Sequence, residues 1–166
     1  MELCSTSNSS RTRHCPRSAH WRTTTIEDEK LDLARELGAD HTVNSATTDP
    51  VAAIQELGGA DVAIVLAVIP SVFDQAFRSL RRGGRLVCVS MPAHGELSLP
   101  IFETVVGGIS VLGSIVGTRK DLREVFALHE AGRTTVSAVS RKLDEVNECF
   151  DDLMGGRVTA RQVFEF

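Results

Sequence analysis

Three apolar runs of strand length limit what this chain can become: residues 61–68 (DVAIVLAV), 85–90 (RLVCVS) and 109–116 (ISVLGSIV). They lack the polar/apolar alternation of a strand with one wet face. Runs of this kind suit parallel strands buried on both sides. Between them lie stretches of helical spacing with short connections. Strand and helix in alternation predict an α/β layer structure built on a parallel sheet.

The helical stretches carry their own punctuation. Residues 26–44 (IEDEKLDLARELGADHTVN) read as a helix followed by a short strand. Thr25, three residues before Asp28, predicts an N-terminal cap, and Leu31, Ala34 and Leu37 share one face. Gly38 stands where a helix C-terminus favours positive φ. Asp49-Pro50 predicts a second helix start, with Val51, Ile54 and Leu57 inward and Gly58-Gly59 after them. Phe73, Ala76, Phe77 and Leu80 mark a third helix. Arg81-Arg82-Gly83-Gly84 reads as its closure, with cations at the negative helix end. A short helix over 100–106 ends at Gly107-Gly108. Thr118 and Asp121 form a capping pattern before Leu122, Val125, Phe126 and His129. A brief strand at 136–139 follows. A last helix carries Leu143, Val146, Phe150 and Leu153, and a final strand is predicted at 161–166.

Composition bounds the function. The 166 residues are 42% hydrophobic and 24% charged, as in globular chains. The net charge of −4 points away from nucleic acid. No stretch of 18 apolar residues is present, so no membrane helix is expected. Residues 1–24 differ from the rest. They are rich in Ser, Thr and Arg and nearly free of apolar residues. They predict a disordered segment, and residues 1–25 carry +3 against about −7 for the remainder. Cys4, His14, Cys15 and His20 fit no zinc-ligand spacing. His41, His94 and His129 are isolated and read as surface histidines. Cys88 and Cys149 read as inert core thiols. A cytoplasmic location is expected.

From Ile26 onward the phrases LARELGAD, GGADVAIVLAV, LRRGGRLVCVSMP, GISVLGSIVGTR and GGRVTARQVFEF occur in an order and spacing that resemble the zinc-dependent medium-chain alcohol dehydrogenases, in their C-terminal cofactor-binding portion. The resemblance implies an oxidoreductase family using NAD or NADP on a Rossmann-type sheet. By position it implies that Lys30 supports the adenosine ribose. Leu66, Ala67 and Val68 would face adenine and ribose, and Val89, Ser90 and Met91 the nicotinamide ribose. Ser114, Ile115 and Val116 would offer backbone groups to the nicotinamide amide. Arg161 would approach the pyrophosphate, where a guanidinium fork suits paired oxygens.

Three departures qualify this. No GxGxxG turn opens a helix at a phosphate site. Thr25 stands where the family's ribose acid is expected. The resemblance covers nothing of the zinc-ligating catalytic domain, so no catalytic residue and no zinc site are expected. The fold is therefore expected to be an incomplete doubly wound sheet without its first βαβ unit. Residues 25–116 would form a partial dinucleotide-binding domain. Residues 117–166 would form a segment that in the family packs on the catalytic domain. In the order 3-2-1-4-5-6, strand 2 is expected to survive only as the threonine-rich 22–26, and loss of strand 1 predicts a central gap. NAD or NADP binding is expected to be weak or absent. The resemblance implies self-association, or pairing with a complete dehydrogenase, through residues 109–115. Three functions remain open: an inactive cofactor-domain fragment, a non-catalytic interaction module, and a truncated gene product without function.

Overall fold

The computed structural model describes residues 2–6 and 19–166. The chain divides into two compact units, the first reaching Val116 and the second Gly117–Phe166. In the first unit the elements are β1 (Glu2–Thr6), β2 (Ala19–Thr25), α1 (Asp28–Glu36), β3 (His41–Asn44) and α2 (Pro50–Glu56). They continue with β4 (Ala60–Val65), α3 (Pro70–Arg78), β5 (Leu80–Cys88), α4 (Ile101–Gly107) and β6 (Ser110–Gly113). They form one sheet in the order β3-β2-β1-β4-β5-β6. This is the doubly wound order expected, and the fold is a partial Rossmann-like α/β fold.

The expected central gap is closed. Its occupant is β1, which pairs with β2 on one side and β4 on the other. Both pairings are antiparallel, whereas β2–β3, β4–β5 and β5–β6 are parallel. Glu2–Thr6 is thus a strand within the stretch expected to be disordered, as is the start of β2 at Ala19, whereas the strand expected at 22–26 is found as the end of β2, which closes at Thr25; residues 7–18 lie outside the described residues. Composition gave no sign of this, because a central strand can draw its stability from backbone pairing with strands already aligned.

The core of this unit lies between α2, α3 and strands β4 and β5. Ile54, Ala63, Val65, Ala76 and Leu86 are fully buried, with Phe73, Phe77 and Leu80 nearly so. At about 1.5–3 kcal/mol for each large side chain, this cluster supplies much of the drive to fold. The helix α2 begins as its sequence predicts: Pro50 is its first residue, and the Asp49 carboxylate accepts from Val51 N–H at 2.9 Å. Gly38 has φ +100°, beyond the range of ordinary side chains.

Two local expectations are corrected. Thr25 does not cap α1. It is the last residue of β2, and Glu27 stands at the helix N-cap without a side-chain hydrogen bond. Residues 81–84 do not close α3, which ends at Arg78. They bulge from β5: Ala60 pairs with Leu80 but Val62 pairs with Arg85. Gly83 turns there at φ +74°, and Arg81 Nε donates to Asp61 at 2.8 Å. Arg81 serves a cross-strand ion pair instead of a helix end.

The second unit holds α5 (Arg119–Glu130), β7 (Ala138–Lys142), a 3₁₀ turn (Leu143–Glu145), α6 (Val146–Met154) and β8 (Arg161–Glu165). β7 and β8 pair in parallel. The predicted capping box is formed: Asp121 N–H donates to Thr118 Oγ1 at 3.3 Å, and Thr118 N–H to Asp121 Oδ2 at 2.6 Å. The Thr118 backbone N–H, and after it the hydroxyl, hold the Asp121 carboxyl below its ordinary range. The apolar stripe of α5 is uncovered, with Leu122, Val125 and Phe126 each more than half exposed. An amphipathic helix ordinarily buries such a stripe. Among the described residues no helix is long and apolar enough to cross a membrane.

Candidate functional site

The parallel strands β2, β4, β5 and β6 end along one edge of the sheet, and in open α/β sheets ligands bind in the crevice outside such ends. Nine of the eleven residues singled out from the sequence follow directly on three of these strands. Leu66, Ala67 and Val68 follow β4; Val89, Ser90 and Met91 follow β5; Ser114, Ile115 and Val116 follow β6. Leu66, Val68, Met91, Ile115 and Val116 are all more than half exposed. These apolar surfaces line an open ledge.

Backbone and hydroxyl bonds tie the strand ends together. Ser90 Oγ donates to the Ala67 carbonyl at 2.7 Å, and Ser90 N–H to the Val65 carbonyl at 3.1 Å. Ser114 N–H donates to the Cys88 carbonyl at 2.9 Å. The ends of β4, β5 and β6 therefore form a fixed surface. A cavity of about 180 Å³ lies beside it, lined by Phe73, Cys88, Ser90 and Glu96 among others. That is below the roughly 300–1,000 Å³ usual for ligand pockets. Burial pushes the Cys88 thiol up, so it is a weak nucleophile near neutral pH.

At the far side of the crevice, Lys30 lies in the first turn of α1. Its ammonium donates to Glu27 Oε1 at 2.7 Å, so it already has a carboxylate partner. The Asp28 carboxylate accepts from Asn44 Nδ2 at 2.7 Å, and the Thr25 carbonyl accepts from Ser45 N–H at 2.9 Å. Arg161 belongs to the second unit, at the start of β8 and on the lining of a cavity of about 560 Å³. Cys149, Phe150, Leu153 and Phe164 supply much of that lining.

β1 decides how a dinucleotide fits. In a doubly wound sheet, the strand at this position runs toward the crevice and delivers a helix N-terminus to the pyrophosphate. Here β1 runs the other way. Glu2, opposite Thr23 and Ile64, lies nearest the crevice, and Thr6 opposite Ala19 lies farthest from it. β1 therefore presents its first residue, and not the start of a helix, to the centre of the crevice. Sequence reasoning missed this, since nothing in ELCST indicates direction. Among the described residues no group of three or more His, Cys, Asp and Glu is placed to hold a metal ion. Of the four residues considered as a metal cluster, His14 and Cys15 lie outside the described residues.

A sheet of this order, with apolar strand ends facing its switch point, defines a protein of the doubly wound, Rossmann-like α/β class. Comparison narrows this. Residues 20–131 match the zinc-binding dehydrogenase family model, and the chain belongs to that family. An alcohol dehydrogenase of Geobacillus stearothermophilus is 43% identical over 141 residues, 84% of this chain and 41% of that protein. The solved alcohol dehydrogenase of Aeropyrum pernix superposes with a TM-score of 0.79 at 35% identity, covering 86% of this chain and 42% of its own. Acetophenone reductase of Geotrichum candidum, solved in complex with NAD, gives a TM-score of 0.70 at 26% identity over 86% of this chain and 40% of its own. The chain spans less than half the length of the relatives it matches.

Proposed function

We propose that this chain is a cofactor-domain scaffold of the zinc-binding dehydrogenase family that does not transfer hydride on its own. One observation carries the reading. The centre of the crevice, where a helix N-terminus would cradle a pyrophosphate, is filled by the reversed strand β1. Residues 66–68, 89–91 and 114–116 follow the strand ends, where the resemblance puts adenosine and nicotinamide contacts. By sequence position Lys30 matches the family's ribose lysine and Arg161 its pyrophosphate arginine. When bound in a complete relative, the dinucleotide supplies the hydride acceptor or donor. Purified protein assayed with added zinc, NAD or NADP and a panel of alcohols is expected to show no turnover above blank. Chelator-sensitive turnover would refute the reading.

A second reading, an interaction module, is favoured by β6. This strand lies at the edge of the sheet and is hydrogen-bonded to β5 alone. Leu112 is half-exposed, and Ile115 and Val116 beyond it are strongly exposed. An open edge of β-branched and apolar residues invites pairing with another chain. Self-association through 109–115 is expected to give a dimer or larger species on sedimentation at micromolar concentration. A single 18 kDa species would exclude it.

A further inference from the structure

We infer that the slot between β2 and β4 is a binding site for an extended peptide segment, and that this chain's own β1 occupies it as a reversible plug. The inference stands whether or not the chain transfers hydride.

The argument begins with direction. Every other neighbouring pair in this sheet is parallel, and β1 alone opposes both of its neighbours. Parallel strands in such sheets are joined by crossover helices, and β1 does not share the direction of the strands so joined. It thus enters the sheet outside the crossover series.

The slot needs an occupant. Without one, β2 and β4 would each present a row of unpaired backbone donors and acceptors in the middle of the sheet. Those rows adjoin fully buried Ala63 and Val65 on β4 and buried Arg22 on β2. Buried backbone groups left without partners are strongly disfavoured. β1 satisfies them through five residue pairs with β2 and three with β4. The pairing on the β4 side is short, Glu2–Ile64 to Cys4–Val62. By contrast β4 and β5 pair at five positions, from Ala60–Leu80 to Val65–Cys88. The β1 side is therefore the weaker seam, and the sheet opens there before it opens between β4 and β5.

Amide hydrogen exchange on the full chain tests the plug. Amides of Leu3–Ser5, residues 3–5, are expected to be protected about 100-fold or more over an open chain, yet to exchange before the amides of 85–88. The amides of β4 that face β1 should exchange together with β1. Free exchange of β1 beside a protected β4 would overturn the inference. So would β1 amides that exchange only with 85–88, because the strand would then be an inseparable part of the sheet.

A binding measurement gives the second arm. Leu3→Pro removes a backbone donor from the middle of β1, where a central strand does not accept proline. A dye-labelled synthetic peptide of residues 1–9 is expected to bind this full-length variant saturably. It should bind the unaltered chain at least about tenfold more weakly, because the chain's own β1 competes. Glu36→Ala, at the exposed end of α1, should behave like the unaltered chain. Equal binding to all three proteins, or to none, would overturn the inference. A dimer that exchanges labelled strands between copies would overturn the assignment of the chain's own β1 as occupant. If Leu3→Pro does not fold, the exchange pattern of the unaltered chain decides.

Discussion

Titration of this chain with NAD is expected to give a dissociation constant near millimolar or weaker. A dehydrogenase that cradles its dinucleotide on a helix N-terminus draws on several backbone N–H bonds to the phosphates, backed by the helix dipole. Each charge-assisted bond contributes about 1.5–3 kcal/mol. Moving from micromolar to millimolar corresponds to about 4.1 kcal/mol, so the loss of two such bonds is enough. In this fold the loss is topological. β1 brings Glu2 toward the crevice and its last residue, Thr6, to the end away from it. The ribose end offers no replacement, because the ammonium of Lys30 is held by Glu27 and Thr25 is no acid. Lys30→Ala is accordingly expected to leave the weak affinity within about twofold, since an exposed ion pair of this kind is worth little. Calorimetry giving a micromolar constant would contradict the argument, and would mean that the phosphates find other donors among the loops after β4 and β5.

How far this was legible in the sequence follows from where the information sits. Features that depend on neighbours three or four residues away were readable. Asp49-Pro50 starts α2, Thr118 with Asp121 caps α5, and Gly38 turns at the end of α1. The buried parallel strands were readable too, because Ala63, Val65 and Leu86 belong to unbroken apolar runs. The ledge of strand ends followed from those runs and from family phrases that extend across them. Features that depend on distant pairing were not readable. Arg81–Gly84, residues 81–84, has the composition of a helix end, but Asp61 on the neighbouring strand claims Arg81. Thr25 has the spacing of a cap, but β3 draws it into a strand with Thr25 paired to Asn44. The segment ELCST carries no periodic signal, and its place and direction are set by the open rows of β2 and β4. The strands expected at 61–68 and 109–116 are shorter in the structure, where β4 ends at Val65 and β6 at Gly113.

Arg22→Ala is expected to destabilise the first unit by about 2–4 kcal/mol, the cost of stranding buried acceptors and losing charged hydrogen bonds. Arg22 lies on β2 and is only 4% exposed. Its Nη1 donates to the Gly59 carbonyl at 3.0 Å and its Nη2 to the Leu57 carbonyl at 3.2 Å. Leu57 caps the C-terminus of α2, and Gly59 follows with φ +73°. The guanidinium thus meets the negative end of a helix and satisfies carbonyls that the helix leaves open. One term works against it: Nε is buried without a partner, so part of the guanidinium is desolvated without return. The two bonds, one of them fully buried, outweigh that single orphan. Alanine would remove both donors and leave the Gly59 carbonyl dry. Methionine separates the contributions, since it keeps an apolar stem of similar length and supplies no donor. Denaturant unfolding of Arg22→Ala and Arg22→Met should show similar losses in midpoint if the hydrogen bonds dominate. A loss below about 0.5 kcal/mol in both variants, the range of an indifferent surface change, would show that water takes over the carbonyls and that the guanidinium is not the link between β2 and α2.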